Sequence, residues 1–374
     1  MVLALIALSW ATSQADLEAP LAFERQRIGT ATFEAASVFD VDRDGHLDIL
    51  SGEYWYAGPD FEEVHKITEI MAVEDYYDDF SDYPMDVNGD GYKDIVTGGW
   101  WGGNLRWLEN PAGEDGEWTI HVIDESGPIE RCCFYDIDGD GDVEVFPVTA
   151  PVLAYELDRS KGEFIKHVLA EEGGGGHGIG FGDLNGDGNP DIVFAHGWLE
   201  APDDPFAGEW TWHPDLPLIP STSVPILVHD VNEDGLADLI VGAAHDYGLY
   251  WYEQSVEDGE RVFTQHVIDA DRSQYHDLML ADLDKDGEVE LVTGKRYRAH
   301  QGHDPGGLDP LGLYYFEIGG GDFERYTLDY GPVGEASGAG IYMWIEDVDG
   351  NGWPDIVAPG KEGLYLFKNL GPVG

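Results

Sequence analysis

The chain has 374 residues, with 19 Lys plus Arg against 75 Asp plus Glu, a formal net charge of −56 at pH 7. So acidic a chain argues against a nucleic-acid partner, which needs clustered basic groups, and against attraction to an anionic membrane. The two cysteines are neighbours, Cys132 and Cys133; they cannot staple distant segments, and read either as a strained vicinal ring or as two buried thiols.

Residues 1–15 (MVLALIALSWATSQA) read as a signal peptide. The apolar run from Val2 to Trp10 is too short to span a bilayer. Ser13 and Ala15 fill the −3 and −1 positions of a cleavage site before Asp16. The expected location is secreted or periplasmic, with no membrane insertion. Residues 22–28 (AFERQRI) form a strand that matches the last strand of each later repeat.

Seven copies of one phrase follow, Asp-x-Asp/Asn-x-Asp/Asn-Gly-x-x-Asp/Glu, starting 46, 50, 47, 47, 52 and 65 residues apart. The first presents Asp40, Asp42, Asp44 and Asp48, the second Asp86, Asn88, Asp90 and Asp94, the third Asp136, Asp138, Asp140 and Glu144. The fourth presents Asp183, Asn185, Asp187 and Asp191, and the fifth Asp230, Asn232, Asp234 and Asp238. The sixth has Asp282, Asp284, Asp286 and Glu290, and the seventh Asp347, Asp349, Asn351 and Asp355. Oxygens at positions 1, 3, 5 and 9 of a loop turned sharply by the glycine at position 6 suit a hard cation, calcium, at up to seven structural sites. Millimolar extracellular calcium would suit such sites.

Each loop is entered by a short apolar strand and left by another, as in Ile49-Leu50 or Ile95-Val96, where an EF-hand would continue into a helix. An aromatic strand follows (GLYWYEQ, GLYYFEI), then a fourth strand (EFIKHVLA, VFTQHVID). Four strands in each of seven units predict an all-β fold, a seven-bladed β-propeller. Only one strand remains after the last loop's exit strand, so the N-terminal strand is expected to complete the last blade and close the ring. Residues 20–374 read as one domain.

These repeats resemble the FG-GAP/VCBS family of calcium-binding propellers, over nearly the whole chain after the leader. A weaker resemblance is to the propeller domain of aldos-2-ulose (anhydrofructose) dehydratase. The first implies the fold and its calcium loops and is nearly silent about activity, because this scaffold carries unrelated functions.

If the loops lie on one face, the starts of the inner strands and the ends of the second strands lie on the other. His65, His121, His167, His213 and His266 share one register in the fourth strand and read as structural. The opposite face gathers Trp100 and Trp101, Arg131, His177 after four glycines, then His196 and Trp198. Further along come His245, Asp246 and Tyr247, then Tyr275 and His276. The long loop after blade 6 adds Lys295, Arg296, Tyr297, Arg298, His300 and His303. Imidazoles from several blades could hold a second divalent metal of the transition series. His177, Tyr275, His276, Tyr297, Arg298 and His300 are the candidate catalytic groups; the others are candidate substrate contacts. Two readings stand. One is a metal-assisted lyase or dehydratase acting on a carbohydrate by β-elimination. The other is a non-catalytic, lectin-like or adhesive propeller with a carbohydrate or polysaccharide ligand.

Overall fold

The computed structural model describes residues 20–171, 173–175 and 177–373; the expected signal peptide lies outside the described residues. Seven four-stranded antiparallel sheets form the seven blades of a β-propeller, taken here in chain order. Their innermost strands are Ser37–Phe39, Tyr83–Met85, Cys132–Tyr135, Ile179–Gly182, Leu227–His229, Tyr275–Ala281 and Trp344–Glu346. Blade 7 is completed by Leu21–Gly29, which pairs antiparallel with Leu364–Pro372 in the register Phe23↔Asn369 and Arg27↔Tyr365. The ring is closed by a strand from each chain end, as expected.

Each blade buries its second strand on both sides, which explains why these strands read as unbroken apolar runs. Side chains of adjacent blades interlock between the sheets. Leu283, Val292 and Tyr315 of blade 6, for instance, pack on Met343, Ile356 and Phe367 of blade 7. The acid at position 9 of every Asp-rich loop is buried, and accepts the main-chain N–H of position 2: Asp48 from Val41 at 2.7 Å, Glu144 from Ile137 at 3.0 Å, Asp355 from Val348 at 2.9 Å. That bond closes the loop onto its own exit strand. A polar side chain late in the third strand or just past it then reaches the preceding blade: Asn110 Nδ2 donates to the Val41 carbonyl at 2.9 Å, and Asn369 Nδ2 to that of Leu283 at 2.9 Å.

The fourth-strand histidines are structural, as their shared register predicts. His65 stacks on Trp55 with ring centroids 4.0 Å apart, His121 on Trp107, His213 on Trp198 and His266 on Trp251. The last three also pair with Glu109, Glu200 and Glu253. Cys132 and Cys133 are both buried free thiols, not a vicinal ring. Burial pushes them up to about 12 and about 11 respectively.

Two insertions depart from the repeat. A small hairpin, Ala72–Val73 with Tyr76–Tyr77, stands between blades 1 and 2, and nothing in the sequence pattern announced it. The long connection in blade 6 carries a 3-10 turn, Ala299–Gly302.

Candidate metal centre

The inner strands of a propeller converge on its axis, so residues just ahead of them, or in the turn after the second strand, meet there. Four consecutive blades use this. Glu130 precedes the inner strand of blade 3, His177 that of blade 4, His245 lies in the turn after Asp238–Gly242 of blade 5, and His276 is on the inner strand of blade 6. One donor atom from each lies within 4.8 Å of all the others. His177 Nε2 is 3.0 Å from both Glu130 Oε2 and His245 Nε2, and His276 Nε2 is 3.2 Å from Glu130 Oε1.

The outward edges of two rings decide their tautomers. His177 Nδ1 donates to the Thr222 carbonyl at 2.5 Å, and His245 Nδ1 to Asp304 Oδ2 at 3.0 Å. Each neutral ring therefore turns a bare Nε2 lone pair inward. Two such lone pairs at 3.0 Å repel unless a proton or a cation lies between them. His276 differs, because its Nδ1 is buried without a hydrogen-bond partner.

Electrostatics separate the four groups. Burial opposes the charge of Glu130, yet His177 and His276 outweigh it and hold the carboxyl well below its usual range. Burial also opposes the imidazolium of His177, but Glu130 beside it raises its affinity for a proton. Burial and the neighbouring His177 press His245 down to about 4. Burial and Arg296 keep His276 neutral. Arg296 braces the carboxylate: Nη1 donates to Glu130 Oε1 and Nε to Glu34 Oε1, each at 3.0 Å.

Three imidazoles and one carboxylate suit a divalent transition metal better than calcium, which prefers an all-oxygen shell. The inward lone pairs fit such an ion. The Asp-rich loops fit a harder one. Asp40, Asp42 and Asp48 form one close oxygen group, Asp282, Asp284 and Glu290 another. Asp40 Oδ1, Asp282 Oδ1 and Asp347 Oδ1 are buried with no hydrogen-bond partner.

A pocket of about 310 Å³ opens beside the centre. Glu130, Arg296, His300 and Gln301 form its polar wall; Tyr76, Phe80, Trp100 and Trp101 form the aromatic one. Trp100 and Trp101 are 47% and 39% exposed, so their ring faces are available. Tyr76 belongs to the inserted hairpin, and its hydroxyl accepts the main-chain N–H of His300 at 2.5 Å. Arg298, His300 and Gln301 all adopt positive φ, near 55°, 48° and 53°. Three left-handed non-glycine residues within four positions persist only when their surroundings hold them.

Of the residues expected at this face, His177, His245, His276, Arg296, His300, Trp100 and Trp101 do come together. Others are placed elsewhere. Tyr275 is buried between blades 5 and 6, its hydroxyl donating to Asp269 Oδ2 at 3.0 Å; alternation along the strand sends it away from the side His276 faces. Arg131 is buried on the axis, where Nη1 bonds Asp277 and the carbonyls of Val224 and Ile341, and the guanidinium lies over Tyr342. Trp198 is sealed in the core, stacked on His213 and donating to Asp215 at 3.0 Å, so it offers no face to a ligand. Lys295 is likewise buried, holding Ser273 Oγ at 2.9 Å and the Gly306 carbonyl.

His196 is exposed beside Trp212. Asp246 caps the N–H of Tyr247, whose hydroxyl donates to Asp309 at 2.5 Å. Tyr297 is half-buried in the turn before the 3-10 element, Arg298 pairs with Asp75 at 3.2 Å, and His303 is exposed, bonding the His300 carbonyl at 2.7 Å. Sequence reasoning missed Glu130, Asp304, Glu34, Tyr76 and Phe80. One acid among 75 carries no signal of its own, and only its place two residues ahead of an inner strand marked Glu130.

An FG-GAP-like repeat model matches residues 86–146 and 230–293. No curated protein sequence matches the chain. Among solved structures, it is similar to an auxiliary nutrient binding protein from Bacteroides ovatus ATCC 8483, at 10% identity and a TM-score of 0.47, over 89% of this chain and 88% of that one. It is also similar to the rhamnogalacturonan lyase YesW, at 14% identity and a TM-score of 0.46, over 95% of this chain and 77% of that one.

Proposed function

Starting from a seven-bladed propeller that carries FG-GAP-like repeats, we propose that this chain acts on carbohydrate at a divalent transition metal held by Glu130, His177, His245 and His276, as a lyase or dehydratase working by β-elimination. The observation that carries this reading is the convergence of three imidazole Nε2 atoms and one carboxylate beside an aromatic-walled pocket. When bound, the metal supplies Lewis-acid polarisation of a carbonyl or carboxylate oxygen. Trp100 and Trp101 offer ring faces on which a sugar stacks, and the hairpin carrying Tyr76 walls the site from solvent. His300, on the polar wall with Nδ1 held by Asp304 at 2.9 Å, is placed to take up the proton next to the polarised group. Arg296 Nη1 holds Glu130 Oε1 in place.

The second reading, carbohydrate binding without chemistry, is favoured by the exposed tryptophan pair, which needs no metal to bind a sugar. In both, the seven Asp-rich loops hold structural calcium, as the orphaned buried oxygens of Asp40, Asp282 and Asp347 suit, and a secreted or periplasmic location supplies that ion at sufficient concentration.

Elemental analysis of protein purified without added metal separates the two. One equivalent of zinc, manganese or iron, lost in His177→Ala and His276→Ala, is expected for the enzyme. An ultraviolet-absorbing unsaturated product should then form from keto-sugars or uronates with the parent and not with the variants. Calcium alone, with glycan binding unchanged in both variants, would overturn the metal reading and leave the binding one.

A further inference from the structure

Resting on the metal-centre reading, we propose that Asp304 is a positioning residue of that centre and ties metal loading to the order of the inserted loop, residues 296–310. Asp304 accepts from two imidazoles at once: His245 Nδ1 at 3.0 Å and His300 Nδ1 at 2.9 Å. The rings of His245 and His300 stack, with centroids 4.5 Å apart. The two nitrogens of an imidazole lie on opposite edges, so the hydrogen bond that fixes Nδ1–H also aims Nε2 at the metal and raises its basicity.

The three histidine ligands are served unequally. His177 is oriented by a main-chain carbonyl of blade 5, present whenever the propeller is folded. His276 has no outer partner. His245 alone relies on a carboxylate, and that carboxylate is carried by an insertion, not by a blade. The loop in turn holds an unfavourable backbone at Arg298, His300 and Gln301. Beyond main-chain bonds of its own, such as Arg298 N–H to the Gly307 carbonyl at 3.1 Å, it is held from outside: Tyr76 on His300, Gln274 Nε2 on the Pro305 carbonyl at 3.0 Å, Ser273 Oγ on the Gly306 carbonyl at 3.1 Å. The Asp304 bonds are the ones that lead to the metal.

A metal on His245 Nε2 polarises the ring and strengthens its Nδ1–H bond to Asp304, which draws the loop and His300 onto the pocket wall. Linkage makes the effect mutual: a loop that cannot present Asp304 must weaken the metal site by the same factor by which metal orders the loop.

The test uses the full chain, kept in calcium and titrated with cobalt(II), comparing the parent with Asp304→Asn and Asp304→Glu. Outer-sphere partners of this kind change metal affinity by roughly 10- to 100-fold, so Asp304→Asn should bind cobalt that much more weakly, with a shifted visible spectrum. Asp304→Glu should recover part of both. Hydrogen exchange of amides 297–309 should slow on cobalt binding in the parent and not in Asp304→Asn. Equal affinity and spectrum in parent and Asp304→Asn, or loop exchange in the parent indifferent to cobalt, would overturn this proposal while leaving the metal centre standing. A parent that takes up no cobalt would overturn both. If Asp304→Asn fails to fold, the parent's exchange and the Asp304→Glu titration decide alone.

Discussion

Glu130 and Arg131 are neighbours with opposite destinations. The acid enters the pocket wall, while the base is buried on the axis against Asp277, Val224 and Ile341. Its place just ahead of an inner strand puts Arg131 among the expected substrate contacts. Burial reverses that: an unpaired charge on the axis is costly, so Arg131 is consumed by Asp277. The histidines were more legible, because a shared register exposes the structural ones and leaves the irregular ones to be explained. Glu362 shows the same physics where pairing is incomplete. Its Oε1 accepts the Gly338 N–H at 2.6 Å, Oε2 has no partner, and burial pushes the carboxyl up to about 7 from 4.5. The folded chain thus holds this proton more tightly than the unfolded chain. The resulting stabilisation is full below the unfolded value and is lost as pH rises through about 7. Glu362→Gln should remove that dependence. In saturating calcium, urea titrations should show the variant gaining on the parent by up to about 3 kcal/mol between acid and mildly alkaline pH. Parallel pH profiles would refute it.

At the scale of the element, the Asp-rich loop is the unit that the sequence spelled most fully. Glycine at position 6 sets the turn, and the acid at position 9 anchors loop to strand in all seven copies, for example Asp191 to Leu184 and Glu290 to Leu283. With calcium at a hundredfold excess over its Kd, each proposed site would add about 2.7 kcal/mol. Chelation is therefore expected to lower the Tm by more than roughly ten degrees, restored by calcium and not by magnesium. A melting curve indifferent to chelator would remove calcium from the account. The hairpin bearing Tyr76 was not legible, because strands of two residues in a polar stretch have no periodicity to detect. Its position follows from contacts with remote elements: Lys361 lies 3.4 Å from the Tyr76 ring and His300 bonds its hydroxyl.

At the scale of the whole molecule, closure rests on Leu21–Gly29 pairing with Leu364–Pro372. Deleting residues 1–29 should expose that edge, lower the Tm and promote association, read by light scattering during a thermal ramp; a truncated chain that melts with the parent and stays monodisperse would show that the strand adds nothing. The sequence by itself determined the repeat, its strand order, the closure and the face on which irregular histidines collect. These depend on period and alternation, which are local. Only the tertiary structure decided which of those residues meet. It selected Glu130 over Arg131 and drew Asp304 and Tyr76 from insertions to the axis, while Tyr275, Trp198 and Lys295 went to the core. Those outcomes turn on side-chain direction, burial and the pairing of charge across blades, which no spacing along the chain encodes.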